Sequence, residues 1–167
     1  MKKNNLFTAL LAFIIVSAGC NEAEEDDLAF VKEETIDAQT EDFFSHELND
    51  SGSSVHFFEG WPNCDTLLVI NSEEEFKKEY HGDLALPYID FNNKTLIIGC
   101  AYLPQTNYYI KEARLENTPV GYSMIVSIEK NKNVVGFCEF YNAFFWKVYP
   151  KLQNKQISFL RKSIYTT

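Results

Sequence analysis

Between Thr66 and Arg161 the sequence is a succession of short apolar runs bounded by turn residues, and that pattern admits little besides a sheet. Thr66-Leu67-Leu68-Val69-Ile70 is continuously apolar, as expected of a strand covered on both faces. Lys94 to Tyr102 is apolar on both parities and predicts a central strand, and Tyr108 to Leu115 a more mixed one. Ser123 to Glu129 alternates, which places Met124, Val126 and Ile128 on one core-facing side. Val134 to Trp146 predicts a longer strand with Cys138, Phe140, Phe144 and Trp146 on the core parity, and Gln156 to Arg161 a last one. Asn117 to Gly121 and Asn131 to Asn133 have the length and residue types of hairpin turns.

One helix interrupts this series. Ser72-Glu73-Glu74-Glu75 matches the capping box, in which the Ser hydroxyl accepts from the backbone N–H of Glu75 while the Glu75 carboxylate reaches back to the N–H of Ser72. Three acids in the first turn suit the positive end of the helix dipole. Phe76 and Tyr80, four residues apart, share a face, and His81-Gly82 supplies a left-handed stop. The expectation is an α+β domain, mostly antiparallel β-sheet as a sandwich or strongly curved sheet, with one short helix at 72–81. Alternating βα units are missing, which argues against a doubly wound nucleotide-binding fold.

The N-terminus reads as an address. Lys2 and Lys3 precede an apolar stretch from Leu6 to Val16, followed by Ser17-Ala18-Gly19-Cys20. The stretch is too short to span roughly 30 Å of hydrocarbon, which takes about 20 helical residues. Small residues directly before a Cys resemble the lipobox of bacterial lipoproteins. That resemblance implies cleavage before Cys20 and acylation of Cys20, so residues 1–19 form a signal peptide and Cys20 a membrane anchor. The family usually carries Leu where Ser17 stands.

Charge divides the remaining chain. Asn21 to Asp50 holds 12 acidic residues and a single Lys, whereas 51–167 holds 12 acids and 12 bases. The formal charge of −9 therefore belongs to the leading segment, read as a flexible acidic tether over 20–52, with a single globular domain over 53–167. Within the tether, Asp42-Phe43-Phe44 either docks on the domain or forms a short helix. Acidic residues after a lipidated Cys resemble the surface-export signal of lipoproteins in Bacteroidota, which implies an outer-membrane, surface-exposed location. A chain with no basic excess does not suit a nucleic-acid face.

No pattern specifies catalysis. GxSxG, CxxC, HxxxH and a Gly-rich phosphate loop do not occur, so neither a metal site nor a cofactor is expected. Cys64, Cys100 and Cys138 could form one disulfide, with no pair favoured. The aromatic segment Phe137 to Tyr149 carries seven aromatics in 13 residues. If Tyr141, Phe145 and Tyr149 face outward, they form a partner-binding stripe that Trp61 extends. The function expected is a non-catalytic interaction module, an accessory, assembly or inhibitory partner of another envelope protein. A small-ligand or glycan-binding surface lipoprotein is the alternative.

Three segments in order carry a family resemblance: Ile70-Asn-Ser-Glu-Glu-Glu-Phe76, then Leu86-Pro-Tyr-Ile-Asp-Phe91, then the apolar strand Lys94 to Cys100. A strand ending in this acidic cap, a short helix, a Pro-x-Ile-Asp-Phe turn and a strongly apolar strand resemble the C-terminal domain of PrcB-type protease-complex subunits and related small Bacteroidota envelope lipoproteins. The likeness spans about 70–115, and Gln105-Thr106-Asn107-Tyr108 stands where the family often has a glycine-bearing turn. It implies an accessory role in assembling a surface protease and assigns no functional residue.

Overall fold

The computed structural model describes residues 30–49, 56–58, 62–137, 139–153 and 156–164. Helices α1 (Ala38–Asn49) and α2 (Glu73–Glu79) accompany strands β1 (Thr66–Ile70), β2 (Lys94–Leu103), β3 (Tyr108–Thr118), β4 (Gly121–Lys130), β5 (Tyr141–Pro150) and β6 (Ile157–Ile164). The strands form two three-stranded sheets, an inner one in the order β1-β2-β5 and an outer one in the order β3-β4-β6. Every pairing is antiparallel except β4 with β6, which is parallel. The molecule is thus an α+β sandwich dominated by antiparallel sheet.

Strand β2 explains the layering. Leu96 and Ile98 enter one core with residues of α1 and α2, whereas Ile97, Ala101 and Leu103 enter a second core against the outer sheet. A strand apolar on both parities needs apolar cover on both faces, and it receives helices on one side and a sheet on the other. Met124, Val126 and Ile128 all point into the second core, as their alternation predicts. Full burial of a side chain such as Leu96 or Ile97 stabilises by about 1.5–3 kcal/mol.

Helix α2 starts as its sequence dictates, with the Glu75 N–H donating to Ser72 Oγ at 3.1 Å. The reciprocal arm lands one residue earlier than expected, on the N–H of Asn71 at 2.7 Å. Gly82 does not provide a left-handed cap. The helix closes at Tyr80 in extended geometry (φ −95°, ψ 123°), and Gly82 instead leaves room for the Tyr80 phenol, since a Cβ there would sit 2.3 Å from its oxygen.

Two further expectations are corrected. The tether reading of 20–52 does not hold from Phe30 to Leu48, nor does a domain beginning at residue 53. Asp37 caps α1, its carboxylate accepting the Thr40 N–H at 2.7 Å, and Thr40, Phe43, Phe44, Glu47 and Leu48 are buried at helical spacing. Strand β5 begins at Tyr141 rather than Val134, and 131–140 is a loop between the sheets rather than a hairpin turn. Strand β6 runs parallel to β4, because the chain leaves the outer sheet to lay down β5 in the inner one before returning.

Candidate functional site

The ends of four strands meet at one pole. Leu103 of β2 pairs with Tyr141 of β5, Tyr108 of β3 pairs with Lys130 of β4, and the Tyr141 hydroxyl donates to the Tyr108 carbonyl across the two sheets. Over this pole arches the loop 131–140. Its apolar side chains face outward: Val134 is 48% exposed, Val135 82%, Phe137 69% and Phe140 61%.

The loop is fastened from below. Asn131 N–H donates to the Asn107 carbonyl at 2.7 Å, Phe137 N–H to Thr106 Oγ1 at 3.0 Å, and the Asn107 side-chain amide to the Val134 carbonyl at 3.3 Å. Gly136 lies so close to Asn107 that a Cβ would meet its amide oxygen at 2.4 Å. Phe140 stacks face to face on Tyr102, with ring centroids 5.0 Å apart. Lys130 and Lys132, both exposed, border the apolar surface. These bonds hold the exposed apolar segment in place.

The residues expected to form the aromatic stripe are elsewhere. Phe145 is 7% exposed, Tyr149 1%, and Tyr141 is half-buried, all three packed in the core between the sheets. Strand β5 is covered on both faces: Phe144, Trp146 and Val148 pack under the helices, and the other parity packs against the outer sheet. The outer sheet closes over the parity that carries Tyr141, Phe145 and Tyr149, so no outward stripe forms. Burial raises the Tyr141 and Tyr149 phenols above their ordinary values. Trp61, Cys20 and Cys138 lie outside the described residues. Cys64 is exposed and Cys100 buried, and both are free thiols. Burial pushes the Cys100 thiol up to about 12, so it is not a nucleophile near neutral pH.

Two polar clusters could be taken for chemistry. Glu47, only 2% exposed, accepts a hydrogen bond from His56 Nδ1 at 2.6 Å, beside Tyr80. The Tyr80 hydroxyl accepts the Leu84 N–H at 3.1 Å, and burial pushes its phenol up to about 12. This group ties α1 to the 56–58 segment and to the end of α2. In the second, Asp65 accepts the Tyr102 N–H at 2.9 Å and Arg161 Nε at 2.9 Å, while Arg161 also donates to the Tyr102 carbonyl at 2.7 Å. It clamps β6 of one sheet to β2 of the other. Among the described residues, no group of three or more His, Cys, Asp or Glu side chains is placed to hold a metal ion, and no helix is long and apolar enough to cross a membrane.

A groove opens along the side of the sandwich. Residues 30–37 run as a strap over the seam between the edge strands β3 and β5. Val31 N–H donates to the Leu115 carbonyl at 3.0 Å and Glu34 N–H to the Val148 carbonyl at 2.7 Å. Beside the strap lies a groove of about 580 Å³, whose walls include Glu34, Glu41, Ile110, Ala113, Phe144 and Trp146. The Trp146 indole N–H donates to Glu41 Oε2 at 2.9 Å.

Neither surface was legible beforehand. Gly136 within the apolar run 134–137 was the available sign of a break, and the acidic composition around Glu33 and Glu34 concealed Val31 and Ile36, which pack on the two cores. Comparison with protein families, curated proteins and solved structures finds no match to this chain.

Proposed function

We propose that this chain is a cell-envelope lipoprotein, anchored in the outer membrane through acylated Cys20, whose folded unit is a non-catalytic interaction module for another envelope protein. The observation that carries the reading is the loop 131–140, with four large apolar side chains exposed within seven residues on a hydrogen-bonded frame. An apolar patch held in shape is a partner surface, because exposing it costs solvation that only docking recovers.

The path of the chain supports a protein partner over the bilayer. Phe30 bridges to Glu116, two residues from the far end of β3, so Phe30 lies at the pole opposite the loop. Eight residues of strand separate Glu116 from Tyr108, roughly 25 Å at about 3.3 Å per residue. A domain held from Phe30 presents the loop away from its anchor. The likeness of 70–115 to PrcB-type subunits implies the same kind of accessory role.

The test is site-specific photo-cross-linking in intact cells. A photoreactive residue at position 135 or 137 is expected to give one stoichiometric adduct with another envelope protein. The same probe at Lys77 on α2 is expected to give none. The Val135→Asp/Phe137→Ser variant should keep its fold and lose the adduct. Adducts of equal yield from every position, or none from 135 and 137, overturn the reading. Retention of Cys20→Ser in the membrane fraction overturns the anchor.

A further inference from the structure

We infer that the open seam between β3 and β5 is a second binding site, which takes an extended peptide bearing basic side chains as an added strand on the β5 edge. The inference is independent of the loop reading and rests on the opposite side of β5 from β2.

Both rims of the groove are strand edges. In an antiparallel pair the N–H and C=O of one residue point the same way, and successive residues alternate. The Val148 carbonyl points outward, since it accepts from Glu34 of the strap. Phe144 and Trp146, four and two residues earlier, therefore present their backbone groups to the groove, where no described backbone group pairs with them. Across the seam, Leu115 faces outward toward Val31, and Ala113 lines the groove in turn. The strap already shows what fits, because an extended segment of this same chain bonds to both edges over the far half of the seam. The near half, walled by residues 110–113 and 144–147, is uncovered. Unpaired edges of this kind are the acceptors in strand addition.

Charge selects the occupant. Four carboxylates, Glu33, Glu34, Glu41 and Glu112, line the groove against two amines, Lys111 and Lys147. Lys147 is bound to Glu33 at 2.9 Å and Lys111 to Glu129 at 3.2 Å, so neither is available to a ligand. Glu112 is held by Arg114 at 3.1 Å. Glu34 has no charged partner among the described residues, and Glu41 is met only by the Trp146 indole N–H. Two carboxylates without a cationic partner, lining one groove, form a receptor for a Lys or Arg side chain through charge. An acidic peptide meets repulsion at the same place.

The test uses the full chain and two synthetic octapeptides, one alternating Thr and Lys, the other alternating Thr and Glu. Binding is read by titration calorimetry and by hydrogen exchange at the Phe144 and Trp146 amides. The Lys peptide is expected to saturate and to protect both amides, while the Glu peptide does neither. Glu34→Gln/Glu41→Gln should weaken the Lys peptide at least tenfold, with the acidic stretch 21–29 an unchanged background in every variant. Val135→Asp/Phe137→Ser should bind it as the parent does, which separates this site from the loop. Equal binding of both peptides, an unaffected double variant, or unprotected Phe144 and Trp146 amides overturns the inference. Concentration-dependent dimerisation that protects those amides without peptide overturns it in favour of a second copy of the chain.

Discussion

The ring of Phe145 lies directly over Gly99, its partner across the β2–β5 ladder, so closely that a Cβ at Gly99 would stand 2.0 Å from the ring's Cζ. The missing side chain on one strand makes the place for the aromatic on the next. This pair fills the space between the sheets and explains why Phe145 is a core residue and not a contact for a partner.

Gly99→Ala is therefore expected to destabilise the fold by about 1–3 kcal/mol, because the ring must leave its seat in a packed core. Gly99→Ala/Phe145→Leu should recover part of that loss. Urea unfolding of the three proteins measures the coupling, and strict additivity would show that the two sites do not communicate.

Phe44 tests whether α1 belongs to the folded unit. It is fully buried among Phe43, Phe57, Phe76 and Trp146. Phe44→Ala should cost about 3–5 kcal/mol. A loss below about 1 kcal/mol in chemical denaturation would mean that α1 contributes little to stability.

Asp65 and Arg161 join the two sheets, and their side chains are 24% and 32% exposed. Arg161→Ala leaves the half-buried Asp65 carboxylate with the Tyr102 N–H alone and the Tyr102 carbonyl without the guanidinium, at an expected cost of about 1–3 kcal/mol. Arg161→Lys should rescue little, since one amine cannot reproduce the fork that reaches both Asp65 oxygens. Thermal unfolding of the two variants separates these outcomes.

Alkali should unfold this protein early. Cys100 and Tyr80 are each pushed up to about 12, and burial raises Tyr141 and Tyr149 as well. The folded state keeps protons that the unfolded chain releases, Cys100 from its ordinary value of 9.0 upward and the tyrosines from 10.0. Stability from these groups is complete below about pH 9 and is lost as pH rises from there toward the folded values. Urea midpoints should be nearly level between about pH 7.5 and 8.5 and fall between about pH 9.0 and 10.5, and Cys100→Ala should reduce that fall. A midpoint constant over this range would overturn the account.

Local pattern sufficed for much of this molecule. The runs at 66–70 and 94–103 became strands because they are apolar on both parities, 121–130 because its apolar residues alternate, and the Ser72 cap started α2 because that interaction is closed within four residues. Helix α1 was obscured by chemistry: two of its buried positions are Thr40 and Glu47, and Glu47 is tolerated inside because partners such as His56, nine residues on, bond to it. A buried carboxylate cannot be foreseen from the helix that carries it.

What the sequence by itself determined is therefore the α+β class, the central place of β2 and the start of α2, all set by interactions within a strand or a turn. Tertiary structure alone decided the rest. Whether Phe145 or Phe137 meets solvent depends on which layers close over β5, and that rests on residues far away along the chain. The strap from Phe30, the parallel return of β6 and the open half of the β3–β5 seam likewise arise from long-range packing, which no short window of sequence contains.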